Sequence, residues 1–387
     1  MQSITAALDE RRRQGLYRSR RVLQCAQGVW VRYEDRDYLN FGSNNYLGLA
    51  NHPALIQSSS TSLQQNGVGS GAAHLLCGHF QVHHELEQAL AQFTGRAQAL
   101  LFSTGYMANL ALMTTFSGKG DAVFADRLAH ASLLDGIRLS QAKLRRFDHN
   151  DCKHLETLLA AWREKNPRRR ALVVTEGVFS MDGDCAPLDR IAAIAQRYRA
   201  MLVVDDAHGI GVIGEQGRGC VHHHGVNNQT PLLMGTFGKA LGGFGAFVAG
   251  DPPLMDYIVQ FARPYMYTTA PPPAMATAAL TALQLLQQEP WRLENLRRRI
   301  AQFRSGAQNL GLRLIESDSA IQPVILGDTD VATRWGETLW KQGIYTGVVR
   351  PPTVAMGQSR LRISLNADHQ PEQVDILLHA LAGLQHG

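Results

Sequence analysis

The chain has no run of about 18 apolar residues, the length a membrane-crossing helix needs. That excludes a helical membrane span on sequence grounds. It has no C-x-x-C pair, and its five cysteines (Cys25, Cys77, Cys152, Cys185 and Cys220) are an odd number spread over 387 residues. Such usage excludes a disulfide framework and fits reduced thiols in a cytoplasmic protein. The first residues lack the apolar core of a secretory signal, and Asp9 and Glu10 argue against an arginine-rich transit peptide. No internal repeat and no low-complexity segment is present. What remains is a soluble globular chain, 45% hydrophobic and 18% charged, long enough for two domains. A net charge of +5 suits acidic ligands such as phosphates, or simply a mildly basic surface.

From about residue 51 the pattern alternates. Helical periodicity over 83–94, 105–117, 131–142, 152–164 and 187–199 is interleaved with short apolar runs at 98–102, 121–125, 171–175, 201–205, 232–236 and 245–249. Alternation of this kind predicts an α/β fold with a mostly parallel sheet. Strands buried on both faces read as unbroken apolar runs, as Leu172-Val173-Val174 does. Before this region, Trp30–Tyr33 and Tyr38–Phe41 bracket a charged turn and predict a hairpin. After it, Pro271-Pro272-Pro273 interrupts the chain. A long helical stretch over about 274–310 follows, broken near Pro290. Strands at 321–326, 344–349 and 361–365 and a last helix at about 370–385 predict a smaller α+β unit. The expected division is an N-terminal arm and hairpin (1–50), a large domain (51–285) and a small C-terminal domain (286–387).

Two short stretches carry the chemistry. Asp205-Asp206-Ala207-His208 follows the apolar run Met201–Val204, and Thr236-Phe237-Gly238-Lys239 follows Leu232-Leu233-Met234. Lys239 sits among apolar and glycine residues, where a lysine is either paired or chemically used. An amine, a carboxylate and an imidazole are the side chains that pyridoxal phosphate (PLP) chemistry requires. Asp205 and His208 lie at a strand end, where α/β sheets place ligands. Taken alone, Asp-x-x-His could equally hold a metal or cap a helix. Ser103–Asn109 turns from an apolar run into a helix, and the Gly105 and Tyr106 amides there suit a phosphate. Thr236 could turn its hydroxyl to the same site. His130 opens a helical run, where it could stack on a flat ring or merely cap the helix.

Other candidates lead away from metal or nicotinamide chemistry. Gly209–Gly214 is glycine-rich but lacks the G-x-G-x-x-G spacing. His222-His223-His224 reads as an exposed loop. His79, His83 and His84 show no coherent ligand set, so no metal is expected. Arg360 and Arg362 alternate onto one face of a strand, where one could clamp a carboxylate.

In their order, these motifs resemble the α-oxoamine synthases, a fold-type I PLP-dependent family. Asn40–Leu49, Thr175–Asp184, Asp205–Gly209 and Thr236–Lys239 carry the resemblance, which runs from about residue 38 to the C-terminus. It implies a fold-type I transferase of the aspartate aminotransferase kind, with a mostly parallel seven-stranded sheet, and pyridoxal 5′-phosphate as cofactor. Lys239 would form the Schiff base, and Asp205 would face the pyridine nitrogen. His208 and Ser180 would contact the ring hydroxyl side, and His130 would stack on the ring. Gly105, Tyr106 and Thr236 would hold the cofactor. Arg18, Asn44, His130, Thr353 and Arg362 would face substrate. The implied reaction joins an amino acid, L-alanine or glycine, to an acyl thioester such as pimeloyl-CoA or pimeloyl-acyl carrier protein. The implied assembly is a homodimer with sites at the interface, where Thr268 or Thr269 would reach the partner's phosphate. The segment Gly69–His74 departs from the family pattern, carrying Ala72, Ala73 and His74 where relatives often show Gly-Ser-Arg.

Overall fold

The computed structural model describes residues 2–385. Two sheets organise them. The larger has seven strands: β3 (Gln98–Phe102), β4 (Ala122–Asp126), β5 (Lys143–Phe147), β6 (Ala171–Glu176), β7 (Met201–Asp205), β8 (Leu232–Thr236) and β9 (Ala246–Gly250). Their spatial order is β3-β9-β8-β7-β6-β4-β5. Only β9 runs against its neighbours. Side chains alternate between the two faces, so Val173 joins one apolar core while Leu172 and Val174 join the other. Helices cover both faces, which is why these strands read as unbroken apolar runs. β5, the sequence Lys-Leu-Arg-Arg-Phe, was not among the expected apolar runs. It is the sheet's edge, where charged residues are tolerated and discourage further pairing.

The second sheet has the order β1-β2-β11-β12-β10. β1 (Trp30–Tyr33) and β2 (Arg36–Phe41) form the expected hairpin. Its turn is two residues, Glu34 and Asp35, both at positive φ, the geometry that matches strand twist. β10 (Ile321–Gly327), β11 (Ile344–Val349) and β12 (Ser359–Ser364) come from the far end of the chain. β2 pairs in parallel with β11, Leu39 opposite Ile344. The hairpin is therefore part of this sheet. Tyr38 stacks on Trp340 at 3.8 Å, and the Arg21 guanidinium lies 3.6 Å above the same indole ring.

The long helical stretch is two helices, Pro273–Gln288 and Trp291–Asn309, divided at Pro290 as expected. Among the described residues no helix is long and apolar enough to cross a membrane.

Candidate active site

Strands β6, β7 and β8 end side by side. Glu176 and Asp205 are register partners there, as are Asp205 and Met234. Beyond β8 the chain makes a tight excursion before returning as β9. Phe237 N–H donates to Gly245 O at 2.9 Å, and Gly243 N–H to Phe237 O at 2.8 Å. Gly242 is at φ +64°, and a Cβ there would lie 2.4 Å from the Ala50 nitrogen. Only glycine lets this turn press against Leu49–Ala50. Lys239 projects from the turn and is partly buried. Burial lowers its ammonium to about 8, against the raising pull of Asp205 and Glu176.

Asp205 is buried and held from two sides. Its Oδ1 accepts the Ala207 N–H at 3.0 Å, and its Oδ2 accepts from Asn109 Nδ2 at 2.7 Å. The second Asn109 amide proton goes to Ser132 Oγ at 2.9 Å. Ser132 Oγ in turn lies 2.7 Å from His130 Nδ1. A continuous hydrogen-bonded line thus joins His130 to Asp205 through two fully buried side chains. His130 itself is exposed and caps the helix Ala131–Ser140. The capping and stacking readings are compatible, because the cap uses Nδ1 and leaves the ring face open.

His208 is buried beside Tyr46, with Nδ1 2.8 Å from the phenol oxygen. Burial, then the positive charges of Lys239 and Arg362, hold it well below the ordinary imidazole range. The ring is therefore neutral and shares one hydrogen bond with the phenol. Tyr46 Oη accepts from Arg362 Nη2 at 3.3 Å and donates to Asn44 Oδ1 at 3.1 Å. Arg362 further donates from Nε to Ser180 O at 2.7 Å and from Nη1 to Ser364 Oγ at 2.9 Å. Asn44, Ser180, His208 and Arg362 are thus gathered around one phenol.

The helix Gly105–Phe116 begins at the end of β3. Thr104 caps it by accepting the Met107 N–H at 3.2 Å. The Gly105 and Tyr106 amides precede the first intrahelical bond and have no partner within the helix. Tyr106 is 43% exposed, and its hydroxyl is bonded to Asp135. The Thr236 hydroxyl donates to Gly245 O at 2.8 Å and accepts the Gly238 N–H at 3.2 Å, so here it braces the lysine turn. Arg18 and Thr353 lie elsewhere, on an exposed rim. Arg18 Nη2 donates to Thr353 Oγ1 at 3.1 Å, and Arg350 Nη2 to Tyr17 O at 3.2 Å.

Several functional side chains had escaped assignment. Tyr46, Asn109 and Ser132 have none of the charge or imidazole that draws the eye, and their roles appear only through their partners. Glu176 is a buried carboxyl beside Asp205 with Oε1 lacking any hydrogen bond. Burial, then the Asp205 charge, raise it well above the usual carboxylate range. Asp206 is buried in a cage of glycines. A Cβ on Gly177 or Gly209 would lie within about 2 Å of its Oδ1 (2.1 and 2.0 Å). Burial raises its carboxyl to about 7.

A clamp sits behind the site. His149 Nδ1 is 2.9 Å from Asp126 Oδ1, and its Nε2 is 2.8 Å from Asp184 Oδ2. Burial alone would lower this imidazole, but the two carboxylates more than offset it and raise it to about 10. The clamp ties the end of β4, which leads to His130, to the loop bearing Ser180. Arg360 holds the same loop through Asp182 at 2.7 Å.

The histidines set aside in the sequence are not scattered. His74, His79 and His83 lie together, as do His79, His84 and Glu87. Their chain spacing gave no sign of this, because His74 and His79 come from a loop folded back on the helix Gln81–Thr94.

These residues fit PLP on structural grounds. A lysine with a lowered pKa stands beside a carboxylate held by two donors, and a capped helix N-terminus offers free amides for a phosphate. The family described as "Aminotransferase class I and II" matches residues 36–381. A solved structure of SPT with PLP superposes with a TM-score of 0.93 at 33% identity, covering 99% of this chain and 97% of that one. The chain belongs to the class I and II aminotransferase family and is a PLP-dependent enzyme.

Two further relatives narrow the family. An 8-amino-7-oxononanoate synthase of Nitrosococcus oceani is 53% identical over 97% of this chain and 98% of its own length. The crystal structure of an 8-amino-7-oxononanoate synthase from Francisella tularensis matches with a TM-score of 0.79 at 31% identity, covering 90% of this chain and 98% of that one. Within the family, the chain groups with these acyltransferases.

Proposed function

We propose that this enzyme condenses L-alanine with a pimeloyl thioester, on CoA or acyl carrier protein, releasing CO2 and the free thiol and forming 8-amino-7-oxononanoate for biotin synthesis. The observation that carries this reading is the Lys239–Asp205–His208 cluster in a chain so similar, end to end, to synthases of that name. PLP, when bound, supplies an electron sink for the carbanion at the amino acid Cα.

The chain's own residues do the rest. Lys239 would be the amine that holds the cofactor, and its Nζ would take the Cα proton and later return it, a role suited to an amine near 8. Asp205, fixed by Asn109 and Ala207, would face the pyridine nitrogen. His208, held by Tyr46, would contact the ring hydroxyl side. Arg362 has five N–H donors, and three are engaged in the protein, leaving two for the substrate carboxylate. Arg18 and Thr353 on the rim face the acyl chain or its carrier. Exposed Val68, Leu76, Phe244 and Tyr267 support a homodimer that covers them, and five unpaired cysteines suit the cytoplasm.

The test is thiol release by the PLP-loaded enzyme with pimeloyl-CoA, comparing L-alanine with glycine. The expected result is alanine-dependent release with the amino ketone found by mass. Turnover only of glycine with acetyl-CoA would move the enzyme to the other substrate pair and leave the PLP chemistry in place. One methyl group separates the two amino acids, worth about 1–3 kcal/mol of discrimination.

A further inference from the structure

Away from the catalytic cluster, the most concentrated set of unexplained side chains is the histidine group at the start of the helix Gln81–Thr94. Its members differ in what they have free. His83 is fully committed: Nδ1 accepts the Phe80 N–H at 3.0 Å, and Nε2 donates to Pro271 O at 2.8 Å. No lone pair remains on it for a ligand. His74 is buried, stacked flat on Tyr265 at 5.3 Å, with Nδ1 2.8 Å from His79 Nδ1. Its Nε2 has no partner at all. A buried polar atom left unpaired calls for an explanation beyond packing.

His79, His84 and Glu87 differ from these. Each offers one ligand atom, all within 4.8 Å of one another. His84 and Glu87 are three residues apart and share a helix face. Glu87 Oε1 is anchored by the Leu101 N–H at 3.1 Å, which leaves Oε2 free, 3.9 Å from His79 Nε2. That gap is too long for a hydrogen bond. It is close to the about 3.4 Å between two ligands of one tetrahedral ion with bonds near 2.1 Å. His84 Nε2 meets only the Gln88 side-chain amide, at 3.0 Å, which can turn over.

We propose that His79, His84 and Glu87 form a binding site for a zinc-class divalent ion, with His74 as the outer partner that fixes the His79 tautomer. When His79 Nδ1–H donates to His74 Nδ1, the His79 Nε2 lone pair faces the free Glu87 oxygen. Metal-bound imidazoles are oriented by this kind of second bond. Two imidazoles and one carboxylate favour zinc, nickel or copper over magnesium or calcium. His79 and His84 are exposed, so an ion can enter and keep water at an open position. The bound ion would fasten the loop 69–80 to its helix. That loop is already tied to the segment after Tyr267, through the Ala73–Thr269 bridge and Ala270 N–H to Ala72 O at 3.0 Å. The site thus gives His74, in the segment that departs from the family pattern, a purpose.

Zinc titrated calorimetrically into chelator-treated, PLP-loaded enzyme tests this. The expected result is one tight equivalent per chain, with magnesium giving none. His79→Gln and His84→Gln each weaken it at least tenfold, and a double variant of the separate histidine tract, His222→Gln with His223→Gln, leaves it unchanged. Both ligand positions are on the surface, so these variants fold, and circular dichroism checks that they do. Absence of a tight equivalent overturns the proposal. So does zinc binding that survives His84→Gln or disappears with the tract variant.

Discussion

The strand-end cluster and the substrate rim are built on opposite terms. Asp205 and His208 stand at the end of β7 and Lys239 in the turn after β8, and Asp205 and His208 are fixed by buried partners. Arg18 and Thr353 are exposed and hold one another across 335 positions by a single hydrogen bond. Between them lies Tyr46–Arg362, buried like the first and long-range like the second. Reacting groups are set rigidly because small displacements cost rate. Arg18 and Thr353, proposed to face the acyl chain, are held only by exposed contacts.

Substitutions can break this contrast. The largest effect is expected for Lys239→Ala, which removes the base and the covalent anchor. Turnover should fall to background and the visible cofactor band should disappear on gel filtration; retention of either would remove Lys239 from its role. Next is His149→Asn, which leaves Asp126 and Asp184 buried without their cation. A loss of about 3 kcal/mol is expected in urea melts. In the parent enzyme this clamp's stabilisation is fully present below about pH 6.5 and is lost as pH rises through about 10. A variant with an unchanged alkaline melting profile would show the clamp to be idle.

Asn109→Ala should lower kcat about 10- to 100-fold with little change in KM, since Asp205 loses a charge-assisted bond worth about 1–3 kcal/mol. Ser132→Ala, one link farther from the carboxylate, should cost less. No loss at Ser132 would mean that the line transmits nothing from His130 to Asp205. The smallest effect is expected at the rim. Thr353→Ala should raise the KM for the thioester no more than severalfold and leave kcat intact, because an exposed hydrogen bond contributes about 1 kcal/mol or less. A collapse of kcat would place the rim inside the catalytic unit.

How much of this could be read beforehand follows the same division. Six of the seven large-sheet strands announce themselves because burial on both faces demands unbroken apolar runs, whereas β5, with one edge in solvent, hides among arginines. Lys239 and Asp205 stand out as charged groups in apolar surroundings. Tyr46, Asn109 and Ser132 do not, because a neutral side chain in an apolar stretch looks the same whether it fills space or steers a proton. Glu176 stands next to a glycine in a quoted motif, yet the lack of a hydrogen-bond partner for its Oε1 is a fact of three dimensions. The histidine group near residue 79 fails for a related reason: a loop reversal, not a period, brings its members together.

The parallel pairing of β2 with β11 sets an order of events during synthesis. Residues 39–41 must wait for residues 344–346 to be made before that seam can close. Contacts so distant in sequence form late. The large sheet, complete by residue 250, can assemble while the ribosome is still working. Tyr46 meets Arg362 only when nearly the whole chain has emerged. A truncated product would therefore carry Lys239 and Asp205 without the Tyr46–Arg362 pairing, so the nascent protein acquires its buried amine before the two ends of the chain close over it.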